Sequence, residues 1–104
     1  MNCLALCLST TLLVITPFAA NANKALAEKS GCLGCHAVAV KLVGPAYKDV
    51  SAKYADQPNA TEMLAKSIRA GSTGKWGEMA MPPQSQLSEA DAKKLAAWIL
   101  GGAK

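Results

Sequence analysis

The chain has 104 residues, of which 51% are hydrophobic and 17% are charged, and this length leaves room for one small domain. Eleven Lys and Arg against seven Asp and Glu give a formal net charge of +4. The basic residues are scattered and only 5% of the chain is aromatic, so the composition argues against a nucleic-acid-binding protein. Docking on an acidic or apolar protein surface is a better use of this modest charge.

Residues 1–22 are predicted to form a secretory signal peptide. An apolar run from Cys3 to Ile15 is followed by Pro17, and Ala20-Asn21-Ala22 places small residues around a cleavage site after Ala22. The run is shorter than the roughly 20 residues that a membrane span needs, so no stable membrane insertion is expected after cleavage. All charged side chains follow the signal, and residues 23–104 are expected to form one exported domain.

A short helix predicted over Lys24 to Gly31 leads into the segment Cys32-Leu33-Gly34-Cys35-His36. Two thiols at this spacing can add to the two vinyl groups of one haem, and a histidine directly after the second thiol is placed to bind the iron. His36 is the only histidine in the sequence. The pattern therefore predicts one haem c attached through Cys32 and Cys35, with His36 as an axial metal ligand.

The same cysteine pair is also compatible with a thiol–disulfide couple or with half of a zinc site. Zinc needs four ligands, and the other two cysteines, Cys3 and Cys7, lie in the predicted signal peptide. A thioredoxin-like redox motif belongs beside a βαβ unit, and the sequence contains no convincing strand. Haem is favoured, and both alternatives stay open at this point.

Two helices are predicted in the middle of the chain. The first covers Tyr47 to Tyr54 and follows a loop over residues 37–45. Asn59 and Glu62 match a capping box, in which each side chain bonds a backbone N–H of the other residue. The second helix is therefore expected to begin after Asn59, and Gly71 is expected to end it.

The last helix is predicted to begin after Ser88, a favoured N-cap residue, and to end at Gly101-Gly102. Its apolar residues recur at helical spacing: Ala92, Leu95, Ala96, Ile99 and Leu100. Residues 75–87 cannot be regular helix, because Pro82-Pro83 lacks backbone donors and restricts the preceding residue. Together the elements predict an all-α fold of four to five helices wrapped around one haem.

The second axial position of the iron has four candidate methionines. Met1 is lost with the signal peptide, and Met63 lies on the apolar stripe of a helix, where core filling is expected. Met79 and Met81 lie in the loop before Pro82-Pro83, which stiffens the backbone next to Met81. Met81 is therefore the favoured metal ligand and Met79 its competitor, while an open iron site is the remaining alternative.

Taken in order, these motifs resemble the c-551 group of bacterial class I cytochromes c. Besides the haem motif, the matching segments are Leu42-Val-Gly-Pro-Ala-Tyr-Lys-Asp-Val50, Trp76-Gly77, Met81-Pro-Pro and Leu95-Ala-Ala-Trp98. The resemblance implies a small monohaem cytochrome c fold in which the Pro45 carbonyl accepts the N–H of His36. It also implies that Trp76 donates its indole N–H to a haem propionate. Trp98 is expected in the core.

Three positions depart from the pattern of this group. Gly77-Glu78-Met79-Ala80-Met81 stands where the group has a proline-rich run, and the loss of those prolines is expected to loosen the ligand loop. Gln84 stands where the group commonly has an Asn whose amide touches the ligand sulfur. Ser67 stands where a basic residue often lies near a propionate, so Trp76 is expected to neutralise more of that charge.

The resemblance implies a periplasmic one-electron carrier and not an enzyme. Its partners would be redox proteins, with nitrite reductase, a terminal oxidase or a blue-copper protein as examples, and the chain is expected to be a monomer. A largely apolar ring would frame the exposed haem edge: Leu33, Gly34, Leu42, Val43, Met79, Ala80, Pro82 and Pro83. The alternative is a haem enzyme or gas-binding sensor. It needs an open iron site and distal acid–base groups, which a single histidine does not supply.

Overall fold

The computed structural model describes Leu12 and residues 18–104. The predicted signal peptide therefore lies outside the described residues, apart from Leu12 and its last five positions. The first described helix begins at Phe18, so it starts earlier than the expected Lys24 and continues through the predicted cleavage point. Within the described ranges, no helix is long and apolar enough to cross a membrane.

The described chain is helical, which confirms the predicted all-α class. The one β-type pairing in residues 18–104 is an isolated antiparallel bridge between Ser72 and Met81. The helices occur in this order: α1 (Phe18–Lys29), a 3₁₀ turn (Cys32–Gly34), α2 (Tyr47–Tyr54), α3 (Ala60–Ala70) and α4 (Glu89–Leu100).

The two predicted helix caps have different outcomes. Ser88 caps α4, because its Oγ accepts a hydrogen bond from the Asp91 backbone N–H at 3.1 Å. Asn59 occupies the N-cap position of α3, but its side chain makes no capping hydrogen bond, so the predicted capping box with Glu62 is wrong. The cause is the backbone of Asn59, whose φ of −116° and ψ of 33° differ from the extended conformation of Ser88.

The core is built where the other helices pack on α4. Leu95 of α4 is 1% exposed and is surrounded by buried side chains from α2 and α3, among them Val50 and Ile68. Trp98 is buried as expected, and its indole N–H donates to the Lys104 carbonyl at 3.0 Å. Tyr47 meets the Trp98 ring edge-on, with centroids 5.6 Å apart. These contacts fix α2, which carries Tyr47, against the last helix.

The loop between α3 and α4 is tied to the end of α3 at Met81. Ser72 and Met81 exchange two backbone hydrogen bonds of 3.1 and 2.9 Å, and the Gln84 N–H donates to the Ile68 carbonyl at 2.9 Å. Gly71 has a φ of +77°, and a Cβ atom there would lie 2.7 Å from the Met81 oxygen. This close backbone approach anchors Met81 at the end of residues 77–81, where the c-551 group has prolines and this chain has none.

Candidate haem site

One cavity brings together all six residues that the sequence assigned to the haem. It is lined by Cys32, Cys35, His36, Pro45, Trp76 and Met81. Core side chains from three helices complete the lining: Val50, Tyr54, Leu64, Ile68, Leu95 and Ile99. The cavity thus combines two thiols, one imidazole and the thioethers of Met79 and Met81 within a largely apolar wall, a donor set and a surface that fit haem c.

The two cysteines lie in and directly after the 3₁₀ turn that follows α1. Gly31 adopts a left-handed conformation with φ of 78°, and the N–H groups of Cys35 and His36 both donate to the Cys32 carbonyl. This tight turn places both thiols and the imidazole at the same cavity. Cys32 is half-buried, Cys35 is exposed, and neither forms a disulfide.

The surroundings of Cys32 do not favour thiol redox chemistry. Burial raises the pKa of the Cys32 thiol, whereas a reactive cysteine needs a lowered pKa. Burial likewise raises the pKa of the neighbouring Tyr47 hydroxyl, which remains neutral. The described part of the chain contains no group of three or more His, Cys, Asp or Glu side chains that could hold a metal ion. The raised pKa of Cys32 thus weighs against the thiol–disulfide alternative to haem.

The imidazole of His36 is held on three sides. Its Nδ1 lies 2.8 Å from the Pro45 carbonyl oxygen, and because a carbonyl only accepts, Nδ1 carries the proton. Nε2 is then the nitrogen with the available lone pair. Tyr47 stacks on the ring at a centroid distance of 5.1 Å and an interplanar angle of 18°. The Gly44 backbone closes the remaining side and donates to the Cys35 carbonyl at 2.7 Å.

The methionines differ in how firmly they are placed. Met81 is half-buried, packs against the core and is fixed by the bridge to Ser72. Met79 also lines the cavity, but it is 68% exposed. Met63 packs against the core and does not line the cavity, as expected from its place on a helix stripe. Gln84 lines the cavity, and its side-chain amide donates to the Pro82 carbonyl at 3.0 Å.

Sequence reasoning missed two residues of the site, Tyr47 and Gly44. The sequence predicts Tyr47 only as the first residue of a helix, and helical spacing does not distinguish packing on the imidazole from ordinary core burial. The sequence places Gly44 only in the loop over residues 37–45, although a glycine immediately before Pro45, whose carbonyl accepts from His36, indicates that a ring passes close to the backbone. Both residues act on His36.

Comparison with known proteins identifies the family of this chain. The model of the family described as cytochrome c matches residues 20–103. The chain belongs to the cytochrome c family. It is 53% identical over 81 residues to cytochrome c-552 of Nitrosomonas europaea, an alignment that covers 78% of this chain and 79% of the relative. It is 46% identical over 91 residues to cytochrome c-551 of Allochromatium vinosum, covering 88% and 96% of the two chains.

The fold agrees with a solved member of the family. The crystal structure of wild-type Nitrosomonas europaea cytochrome c552 superimposes with a TM-score of 0.74 and 52% identity, covering 75% of this chain and 96% of that one. The resemblance to bacterial class I cytochromes c is thereby confirmed, together with the monohaem cytochrome c fold and the covalent haem c cofactor. The protein is a small haem-bearing electron carrier.

Gly44→Ala should disturb the imidazole, because the added Cβ would lie 2.7 Å from Nδ1 and 2.9 Å from Nε2 of His36. Overpacking of this kind costs about 1–3 kcal/mol, which thermal unfolding of the haem-bearing protein measures. Gly34→Ala is the matched control, because a Cβ at Gly34 meets nothing within 4 Å. Equal unfolding temperatures for the two variants would contradict the close packing of Gly44 on His36.

Proposed function

We propose that this protein is a periplasmic one-electron carrier whose haem is attached through Cys32 and Cys35 and whose iron is bound by His36 and Met81. The observation that carries the proposal is the meeting of these four side chains at one cavity. When bound, the haem supplies an iron that accepts and releases one electron. The protein groups perform no bond-making chemistry, so the protein is not an enzyme.

The two proposed ligands set the redox behaviour. The hydrogen bond from His36 Nδ1 to the Pro45 carbonyl fixes the ring and makes Nε2 a stronger electron-pair donor to the iron. The Met81 thioether favours reduced iron and raises the potential. Together His36 and Met81 would supply both protein ligands to the iron, which would keep oxygen and peroxide out. This argues against the haem enzyme or gas-binding sensor, since His36 is the only histidine of the chain.

The amino-terminal segment supports the proposed location, and the surface around the cavity supports the proposed kind of partner. The predicted signal peptide over residues 1–22 supports export to the periplasm and leaves residues 23–104 as the cytochrome c domain. Around the cavity, Val43 and Met79 line the wall and are largely exposed, and Leu42 is exposed beside them. A small apolar surface of this kind suits brief docking of a monomer on a redox partner, such as nitrite reductase, an oxidase or a blue-copper protein.

Protein made with haem-maturation machinery should keep its haem through acid–acetone extraction, because two thioether bonds hold it. A double variant with Cys32→Ala and Cys35→Ala should lose the haem and yield little folded protein, since the haem completes the core of so small a domain. Extracted pigment and remaining absorbance are measured for both proteins. Complete extraction of haem from the unaltered protein would overturn covalent attachment.

Met81→Ala should abolish the weak near-infrared sulfur-to-ferric-iron band and lower the reduction potential, because the thioether favours reduced iron. It should also let carbon monoxide bind the reduced protein, which visible spectra detect. Met79→Ala is the matched control and should leave both properties close to those of the unaltered protein, since Met79 is largely exposed. The opposite behaviour of the two variants would assign the ligand to Met79.

Val43→Glu should slow electron exchange with a physiological partner more than Lys41→Glu does, while both variants keep the potential. The reason is that Val43 is an exposed apolar residue at the cavity, whereas exposed charges are screened beyond roughly 8 Å at physiological ionic strength. Stopped-flow rates across a salt series provide the measurement. A steep salt dependence with Val43→Glu close to the unaltered protein would show that charge carries recognition.

A further inference from the structure

A cluster of two lysines lies around Trp76 at the edge of the cavity, and the proposed iron ligands make no use of it. Lys53 of α2 places its Nζ 4.4 Å from the centroid of the Trp76 ring, a cation–π contact. The same ammonium donates to the Lys75 carbonyl at 3.1 Å. Lys75 in turn donates from its own Nζ to the Ser67 hydroxyl of α3 at 3.1 Å. The cluster joins α2, α3 and the loop before α4.

The charge of this cluster reaches the cavity at a single residue. Among the described residues that line the cavity, Lys75 is the one with a charged side chain. Its ammonium has three donor hydrogens, of which the bond to Ser67 uses one. Ser67 and Trp76 line the same cavity, and because the Ser67 oxygen accepts from Lys75, its hydroxyl hydrogen is available to a further acceptor.

An ammonium, a hydroxyl and an indole N–H together form a set of hydrogen-bond donors with one positive charge. The complementary ligand is an anionic group that only accepts, and a carboxylate is such a group. Haem c carries two carboxylates, its propionates, on an otherwise apolar ring. A cavity with apolar walls and one cationic edge would therefore hold the haem with a propionate at Lys75.

We propose that Lys75, held by Ser67, is the cation that pairs with a haem propionate in this protein, and that Lys53 keeps Trp76 and the Lys75 backbone in place. This inference rests on the haem-binding function proposed above. Ser67 lacks the charge expected at its position in the c-551 group, and Lys75 supplies that charge from the neighbouring loop. Trp76 therefore shares the propionate with a cation and does not neutralise it alone.

The pairing has a defined electrostatic consequence. A cation near the haem favours reduced iron, which carries less positive charge, and it also favours the ionised propionate. Other charged side chains on the neighbouring elements are placed differently: Lys53 lies on Trp76, Arg69 bonds the Leu87 carbonyl, and Glu78 is exposed in the loop. Changing Lys75 alone leaves these three groups in place.

The test is the reduction potential of the haem-bearing protein, measured from acid to alkaline pH. Lys75→Met should lower the reduction potential. It should also raise, by roughly one pH unit, the pH at which ionisation of the propionate changes that potential, because the carboxylate loses a neighbouring positive charge. Lys75→Arg should retain the potential. Ser67→Ala should produce part of the shift, and adding it to Lys75→Met should change little further, since both act on one contact. Lys48→Met, at an exposed lysine of α2 outside the cavity lining, is the control for net charge.

A Lys75→Met curve that coincides with that of Lys48→Met would overturn the proposal. Equal losses in Lys75→Met and Lys75→Arg would overturn it as well, because packing and not charge would then be responsible. Failure of the proposed function is a separate result, since unaltered protein without covalent haem would yield no potential to compare. Haem that is attached but insensitive to Lys75 would reject this inference alone.

Discussion

The hydrogen bond between His36 Nδ1 and the Pro45 carbonyl connects the haem motif to α2, and much of the site depends on it. The bond holds the His36 ring against the end of the loop over residues 37–45. Its backbone is closed by further bonds, from the Gly44 N–H to the Cys35 carbonyl and from the Tyr47 N–H to the Ala37 carbonyl. One carbonyl therefore sets the tautomer of the imidazole while its neighbours set the orientation of the ring.

The second side of the cavity is organised in a different way. His36 is fixed by a side-chain hydrogen bond and by stacking, whereas Met81 is fixed through its backbone, by the two bonds to Ser72. A thioether is a weak acceptor with few hydrogen-bonding options, so its position has to come from the chain that carries it. Gly71 permits this arrangement, since any larger residue would collide with the Met81 carbonyl.

The chemistry of the site was predictable from the sequence, and so, through the family resemblance, was the bond between His36 and the Pro45 carbonyl. The other supporting contacts were not predictable. Cys32, Cys35 and His36 are adjacent in the chain, so their spacing alone indicates haem attachment. The stack of Tyr47 on His36 and the contact of Lys75 with Ser67 bring together residues eight or more positions apart, through loops whose course no periodicity describes. The helix caps were also only partly predictable: Ser88 caps α4 as expected, whereas Asn59 does not cap α3. Each cap depends on the backbone conformation of one residue, which the sequence pattern does not give.

The cavity also explains how so small a domain is stabilised. Leu64, Ile68, Leu95 and Ile99 belong both to the hydrophobic core and to the cavity wall. An apolar surface that faces a cavity contributes little until an apolar body covers it. Haem binding and folding are therefore coupled through the same side chains, and the covalent attachment that we propose at Cys32 and Cys35 would make the coupling permanent. A change at a core position such as Ile68 is consequently a change at the haem site as well, and it alters stability and the surroundings of the iron together.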